Sequence, residues 1–383
     1  MNKKPPRAYL ENANQFNREL GSAKNKVLTD VEVLRVDSFT DDLRDKWEEL
    51  RTRYQLDSPY FDFEFMQCVN EVRDDISVAI LRDQDEIVGF FPFQRVGGKK
   101  AYPVGGLIND YHGIIGDPEL QNHWLTILRK SNLNSWRFHS METVCPASEP
   151  YRYARIPCPY IDLSQGFQNY YRNATIHSSV FRRQSQKTSK MKRELGELRL
   201  EYNSRDPELL ETVIRWKREK FKRTQAFDIL SVDWTANLVR SVFQRELPNF
   251  YSTLNVLWAG DKLVAAHMGI STKSILHYWF PTFNYEFGKY SPGTQMFLML
   301  AEEAASRGIK LIDLGYGDDG FKSQWAFQRK YALYGCIHPS SLQLNIARVK
   351  FRIRNAIRNS SWKHPFRPIM RKFFPNFGKG AYR

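Results

Sequence analysis

Two short segments of this 383-residue chain carry residue types able to do chemistry. In Tyr290-Ser291-Pro292-Gly293-Thr294, serine and proline stand where helices start, directly after a stretch from Ile275 to Phe283 that suits a strand. A loop that opens a helix after a strand gathers free backbone N–H groups at the positive end of the helix dipole, which favours phosphate. The second segment is a polar turn with two acids, Asp318 and Asp319, and Lys322, in which Gly315, Gly317 and Gly320 leave room for a ligand.

A strand, a helix and a second strand must position these segments. Aromatic and β-branched residues from Ile275 to Phe283 form the first strand. Phe297, Leu298, Leu300, Ala301, Ala304 and Ala305 recur at helical spacing, and Gly308 supplies the stop. Ile309 to Leu314 reads as a short buried strand. Further upstream, Leu254–Trp258 and Leu263–His267 flank the turn AGDK and read as a β-hairpin; Ser77–Leu81 and Ile87–Phe91 flank RDQDE in the same way. Helical periodicity marks Asp41–Tyr54, Phe61–Val72, Pro207–Gln225 and Val232–Leu247.

Ser291-Pro292-Gly293, then Ile312-Asp313-Leu314-Gly315-Tyr316-Gly317-Asp318 and Lys322, resemble the CelD-type acetyltransferases of bacterial cellulose and exopolysaccharide biosynthesis. That family is a branch of the GNAT superfamily related to the FemAB peptidyltransferases. Phe321 stands where the family usually has a tyrosine, and a weaker likeness extends upstream to about Trp47. The resemblance implies an α/β chain of two GNAT-like halves, each a mixed central sheet flanked by helices. The expected divisions are a polar extension (1–30), a first half (31–170), a second half with the acyl-CoA site (171–340) and a basic amphipathic tail (341–383).

By the same resemblance, one strand splays from its neighbour and acetyl-CoA lies in the opening, its pyrophosphate at the following helix N-terminus. Tyr290, Ser291, Gly293, Thr294 and Gln295 are then the cofactor loop, with Gly293 allowing close backbone approach. Acyl transfer needs a base for the nucleophile's proton and a donor for the developing oxyanion. Asp318 matches the family acid and is the expected base or substrate-orienting residue; Lys322 matches the family lysine. A mutual Asp318–Lys322 ion pair is the structural alternative. Asp110, His112 and Tyr316 are the acceptor-binding candidates. Asp313, a strand acid, is expected to anchor a loop, and His267 and His277 to pack beside the cleft.

Composition is globular, with 42% hydrophobic and 26% charged residues. Cys68, Cys145, Cys158 and Cys336 lie far apart and read as reduced structural thiols of a cytoplasmic protein. The N-terminal residues contain no apolar core, so a secretory signal is not expected, and no apolar run reaches bilayer-spanning length. No metal-ligand spacing, nucleophile elbow, P-loop or dinucleotide fingerprint appears, so direct transfer without a metal is the expectation.

The net charge of +15 is uneven. No acid follows Asp319 while fourteen Lys or Arg do, which leaves 43 basic and 42 acidic residues before that point. Residues 345–358 can form a helix with Ile346, Val349, Ile353 and Ile357 on one side and cations beside them. Trp362, Phe366, Phe373, Phe374 and Phe377 follow among further cations. Aromatics mixed with cations suit an anionic membrane surface; nucleic acid is the lesser rival. The run 182–193 carries six positive charges and no acid, and reads as a solvated helix face or as a guide for a phosphate ligand.

The leading expectation is therefore an acetyl-CoA-dependent acyltransferase acting on a sugar, nucleotide sugar or glycan intermediate, peripheral at the inner membrane face. The alternatives are a FemAB-like aminoacyl-tRNA-dependent transferase, which would use the basic segments for tRNA, and a non-catalytic assembly factor for a polysaccharide synthase.

Overall fold

The structure, a computed structural model, describes residues 28–142, 145–318 and 320–359. The polar extension before residue 28, Asp319 and the aromatic tail beyond residue 359 lie outside the described residues.

In chain order come β1 (Asp30–Arg35), α1 (Asp41–Arg53), α2 (Phe63–Asn70), β2 (Ile76–Asp83), β3 (Glu86–Arg95), β4 (Lys100–Tyr102) and β5 (Ile115–Gly116). Next are α3 (Trp124–Lys130), β6 (Ser135–Met141), β7 (Arg152–Asp162), α4 (Phe167–His177), α5 (Ser179–Leu195), β8 (Leu198–Glu201) and α6 (Pro207–Arg223). Then follow α7 (Asp233–Phe243), β9 (Glu246–Leu247), β10 (Phe250–Ala259), β11 (Lys262–Ser271) and β12 (Ile275–Phe283). The last are α8 (Pro292–Ser306), β13 (Leu311–Asp313), α9 (Lys322–Trp325), β14 (Gln328–Ile337) and α10 (Ser341–Asn359).

The chain divides into two compact units, and neither is continuous in sequence. The first comprises 28–56, 75–156 and 330–359 of the described residues; the second comprises 57–74 and 157–329. Both are mixed α/β, the class the sequence implied. The chain changes unit inside β7 and again near the start of β14, not at the expected 170/171 and 340/341 divisions. The second helix of the expected first half, α2, also belongs to the second unit. Electrostatics and packing fix it there: Arg245 pairs with Glu64 at 2.6 Å and with Glu71, and the Tyr60 ring stands edge-on to His277 at 4.9 Å.

In the first unit, β1, β2, β3 and β4 pair antiparallel in that order, and β4 pairs parallel with β6. Its core is aromatic: Phe91 meets Trp124 and Trp136, and those two indoles stack at 5.2 Å. In the second unit, β8, β10, β11 and β12 pair antiparallel, β12 pairs parallel with β13, and β13 pairs antiparallel with the end of β7. Helix α6 is capped by Asp206, whose carboxylate accepts from the Glu208 N–H, with Pro207 at the first helical position. The helix expected to reach Leu247 stops at Phe243, because Glu246 and Leu247 pair with β10 as strand β9. Phe297, Tyr278 and Trp325 form the aromatic centre beneath α8, with Phe297 and Trp325 stacked at 4.1 Å.

All four cysteines are buried, and none forms a disulfide among the described residues. Among the described residues, no helix is long and apolar enough to cross a membrane, and no group of His, Cys, Asp or Glu could hold a metal.

Candidate functional site

The site is built where β12 and β13 part. Their parallel pairing lasts three rungs, ending at His277↔Asp313. Strand β12 then continues to Phe283 against β11, while the chain after β13 turns the other way. The Leu314 N–H donates to the Pro159 carbonyl (3.1 Å) and the Gly317 N–H to Pro157 (2.8 Å), which ties the turn to β7. A wedge opens between the two strands. The β11–β12 register also shifts between Met268 and Ile270, just past the fork, and a bulge there re-aims the facing side chains.

Asp313 sits at the fork, 2% exposed. Its Oδ1 accepts the Gly315 N–H at 2.7 Å and lies 3.7 Å from His277 Nδ1. This buried acid pins the first residues of the catalytic-candidate turn, the anchoring role expected of it. His267 is fully buried, its Nδ1 accepts from the Asn255 side-chain N–H at 3.2 Å, and its ring stacks on Tyr278 at 4.1 Å. Burial, then the neighbouring His277 and Lys217, pushes its pKa well below the usual histidine range, so the ring is neutral.

After β12, the chain makes a short 3-10 turn (Tyr285–Tyr290) and reaches Ser291 in the left-handed region, φ 54°. Pro292 then starts α8 with no side-chain cap. The Gly293 N–H has no partner among the described residues, and a Cβ on Gly293 would meet only Phe283, at 3.5 Å. The basic helix α5 lies against this loop. Lys187 Nζ donates to Ser291 Oγ at 2.6 Å, Thr188 Oγ1 donates to Gln295 Oε1, and the Tyr290 hydroxyl donates to Glu194 at 2.6 Å. Hydrogen bonds from Tyr290 and Lys289 hold the Glu194 carboxyl below its usual range.

Of the five expected loop residues, Tyr290, Ser291 and Gln295 thus fasten the loop to α5, and Tyr290 is only 2% exposed. Gly293 and Thr294 present the helix end. An unengaged N–H, the dipole of a 15-residue helix and an ammonium 2.6 Å from Ser291 fit a diphosphate. The basic run therefore supplies a specific neighbour, Lys187, which no local pattern singles out because its partner lies 104 residues away.

Asp318, Tyr316 and Lys322 share the turn after β13. Asp318 and Lys322 do not pair with each other. Asp318 Oδ2 accepts from Arg329 Nε at 2.7 Å, whereas Lys322 Nζ donates to the Tyr316 carbonyl at 2.9 Å. Asp318 Oδ1 is buried and has no hydrogen-bond partner among the described residues. One oxygen is thus oriented by a guanidinium and the other is left to accept a proton. Lys322 keeps two N–H groups beyond its carbonyl bond. Arg329 carried no signal in the sequence; it becomes visible only as Asp318's partner. Phe321 packs on Trp325 at 4.6 Å.

Asp110 and His112 belong to the first unit. The His112 ring is not presented to an acceptor: it is buried, and its Nε2 accepts the backbone N–H groups of His139 (3.3 Å) and Ser140 (3.2 Å). Burial, reinforced by His139, pushes His112 well below the usual range, and burial lowers His139 to about 4. Asp110 is half-buried in the adjoining loop.

A cavity of about 330 Å³ lies in the second unit against Tyr160–Asp162, the β7 residues that pair with β13. Gln165, Asn169, Asn173 and Gln328 line it with carboxamides that make no hydrogen bond within the described residues, beside Asp162, His177 and the exposed Phe327.

Residues 179–323, all within the second unit, match the family model of the acetyltransferase (GNAT) domain. No curated protein matches the chain in sequence. Among solved structures, the C-terminal domain (DUF2156) of a putative lysylphosphatidylglycerol synthetase from Agrobacterium fabrum is similar with a TM-score of 0.51 at 12% identity, covering 82% of this chain and 95% of that one. FemX is similar with a TM-score of 0.52 at 9% identity, covering 80% of this chain and 96% of its own. At such identities the likeness is one of fold.

Proposed function

Starting from a chain that is an acyltransferase of the GNAT fold, we propose that it moves an acetyl or other acyl group from acyl-CoA to a neutral sugar, a nucleotide sugar or a glycan intermediate of bacterial polysaccharide assembly. The observation that carries the acceptor class is the cavity beside β13. Four unengaged carboxamides, one carboxylate and an exposed phenyl ring suit a ligand that offers many hydroxyls and an apolar ring face, and no Lys or Arg lines it. The donor's diphosphate is assigned to Gly293, Thr294 and Lys187, and its acyl arm to the wedge between β12 and β13.

In this reading Asp318 Oδ1 takes the proton from the acceptor hydroxyl or amine as that atom attacks the thioester carbonyl. Arg329 orients the carboxylate, and Lys322 offers its free N–H groups to the charge that develops on the carbonyl oxygen. The carbon–sulfur bond breaks and CoA leaves as a thiol, its sulfur taking up the proton.

Calorimetry with acetyl-CoA tests the donor site. Wild type is expected to bind and Gly293→Glu to lose affinity by about 100-fold, through charge repulsion at the diphosphate and not through unfolding, since a Cβ fits. Release of CoA thiol is then followed with neutral sugars, nucleotide sugars and amines as acceptors. No acetyl-CoA binding by wild type would move the donor to aminoacyl-tRNA; turnover with amines alone would remove the glycan assignment.

A further inference from the structure

Helix α10 (Ser341–Asn359) carries apolar residues on two opposite faces, and one of them is exposed among the described residues. Leu344 is 7% exposed, Phe351 stacks on Tyr334 at 4.8 Å and lies 6.1 Å from Tyr153, and Arg348 donates to the carbonyls of Arg152 and Pro150. These three residues, spaced by four and three, fasten the helix to the first unit. With about 100° per residue, Leu342, Ile346, Val349 and Ile353 fall on the opposite side. They are 68%, 46%, 53% and 46% exposed, four of the nine large apolar side chains so exposed among the described residues.

A helix docked on a protein ordinarily turns polar residues outward. Here the outward stripe is apolar over three turns, although the inner face already secures the helix. Exposed Lys350 and Arg352 stand about 80° to either side of the stripe's centre, and no acid occurs anywhere in the helix. An apolar stripe flanked on both sides by cations is the section of a helix that lies in the plane of an anionic bilayer, with the stripe among the acyl chains and the cations among the phosphates.

We propose that the outer face of α10 is a membrane-docking surface that rests the first unit on anionic lipid, with Leu342, Ile346, Val349 and Ile353 inserted and Lys350 and Arg352 at the headgroups. This does not depend on the acyl group or acceptor. It refines the expectation drawn from the basic tail, because the inserting side chains are those on the outer face of the helix and not the docked pair Leu344 and Phe351.

Vesicle flotation of the full chain tests it, with phosphatidylglycerol-containing and pure phosphatidylcholine vesicles. Wild type is expected to float with the anionic vesicles and to be released by high salt. Ile346→Asp/Val349→Asp should reduce the bound fraction roughly 10-fold or more, and Lys350→Glu/Arg352→Glu should abolish the preference for anionic lipid. Both variants should keep the wild-type Tm, since the altered side chains are exposed. A chain ending at residue 359 should still float. Three results would overturn the proposal: equal flotation of the Asp variant, loss of flotation on removing only residues 360–383, or a wild-type dimer that the Asp variant converts to monomer without any vesicle binding by wild type.

Discussion

The two units contain the same hairpin. Strands β2–β3 and β10–β11 are each joined by a two-residue turn whose first residue is left-handed, Gln84 (φ 53°) and Gly260 (φ 55°). Each ladder shifts register at the same place, between Leu81 and Arg82 in one and Leu257 and Trp258 in the other. Beyond the hairpin they diverge. In the second unit β12 runs nine residues and delivers the chain to a 15-residue helix whose N-terminus meets Lys187. In the first unit β4 has three residues and is followed by a single 3-10 turn, Gly106–Ile108. The fork and the helix dipole thus belong to one unit. Repeating a hairpin repeats a scaffold; phosphate binding needs the element that comes after it.

The histidines tell the same story. In the first unit His112 and His139 satisfy backbone groups: His112 Nε2 takes two N–H groups, and His139 Nε2 meets the Asn109 carbonyl at 2.8 Å. In the second unit His277 faces Asp313 at the fork.

Four variants or conditions would break or sharpen this contrast. The largest effect is expected at Asp318→Asn, which should lower kcat about 1000-fold and leave the donor KM unchanged. An unchanged kcat would leave the second unit without its assigned base.

Acid should weaken both units. His139 protonates only near about 4 when folded but near 6.5 when unfolded. A depressed folded value means that stability is complete above about pH 6.5 and falls as the pH drops towards 4, by roughly 3 kcal/mol for His139 alone. His267 is depressed for the same reason, burial, so hydrogen exchange should show β6 and β11 both losing protection across this window. Loss in one unit only would mean that the other's ring is not held neutral.

Asn109→Ala removes a buried carboxamide that donates to the Val104 carbonyl (2.9 Å) and accepts the Tyr111 N–H (2.8 Å). Urea denaturation should register a loss of about 2 kcal/mol, with acyl-CoA affinity unchanged. A fall in affinity at wild-type stability would give the first unit a direct part in the donor site. Smallest is Lys187→Ala, expected to weaken acetyl-CoA binding about 10-fold and to reduce its salt dependence. An unaltered salt dependence would make Lys187 only a fastener of Ser291.

Much of this architecture was legible in the residues. The strand–loop–helix–strand segment from Ile275 to Asp313 announced itself because each element has local cues: aromatic and β-branched residues in β12, Pro292 at the helix start, apolar spacing in α8 and Gly308, φ 87°, at its end. Asp313 was legible for a similar reason, since a buried strand acid must find a nearby donor and the Gly315 N–H is two residues away. The helical periodicity of Val232–Leu247 misled at its end, because pairing with β10 outweighed helical propensity at Glu246 and Leu247.

What the sequence determined by itself was the set of elements and the kind of chemistry each end could support, because capping, periodicity and glycine placement act over a few residues. Tertiary structure decided the partnerships. Lys187 reaches Ser291, Arg329 takes Asp318 away from Lys322, and Glu64 and Glu71 bind Arg245 and carry α2 into the second unit. It also decided which apolar face of α10 is docked, since Leu344 and Phe351 differ from Ile346 and Val349 only in having a surface to meet. Such contacts join residues far apart along the chain, where no local pattern can encode them.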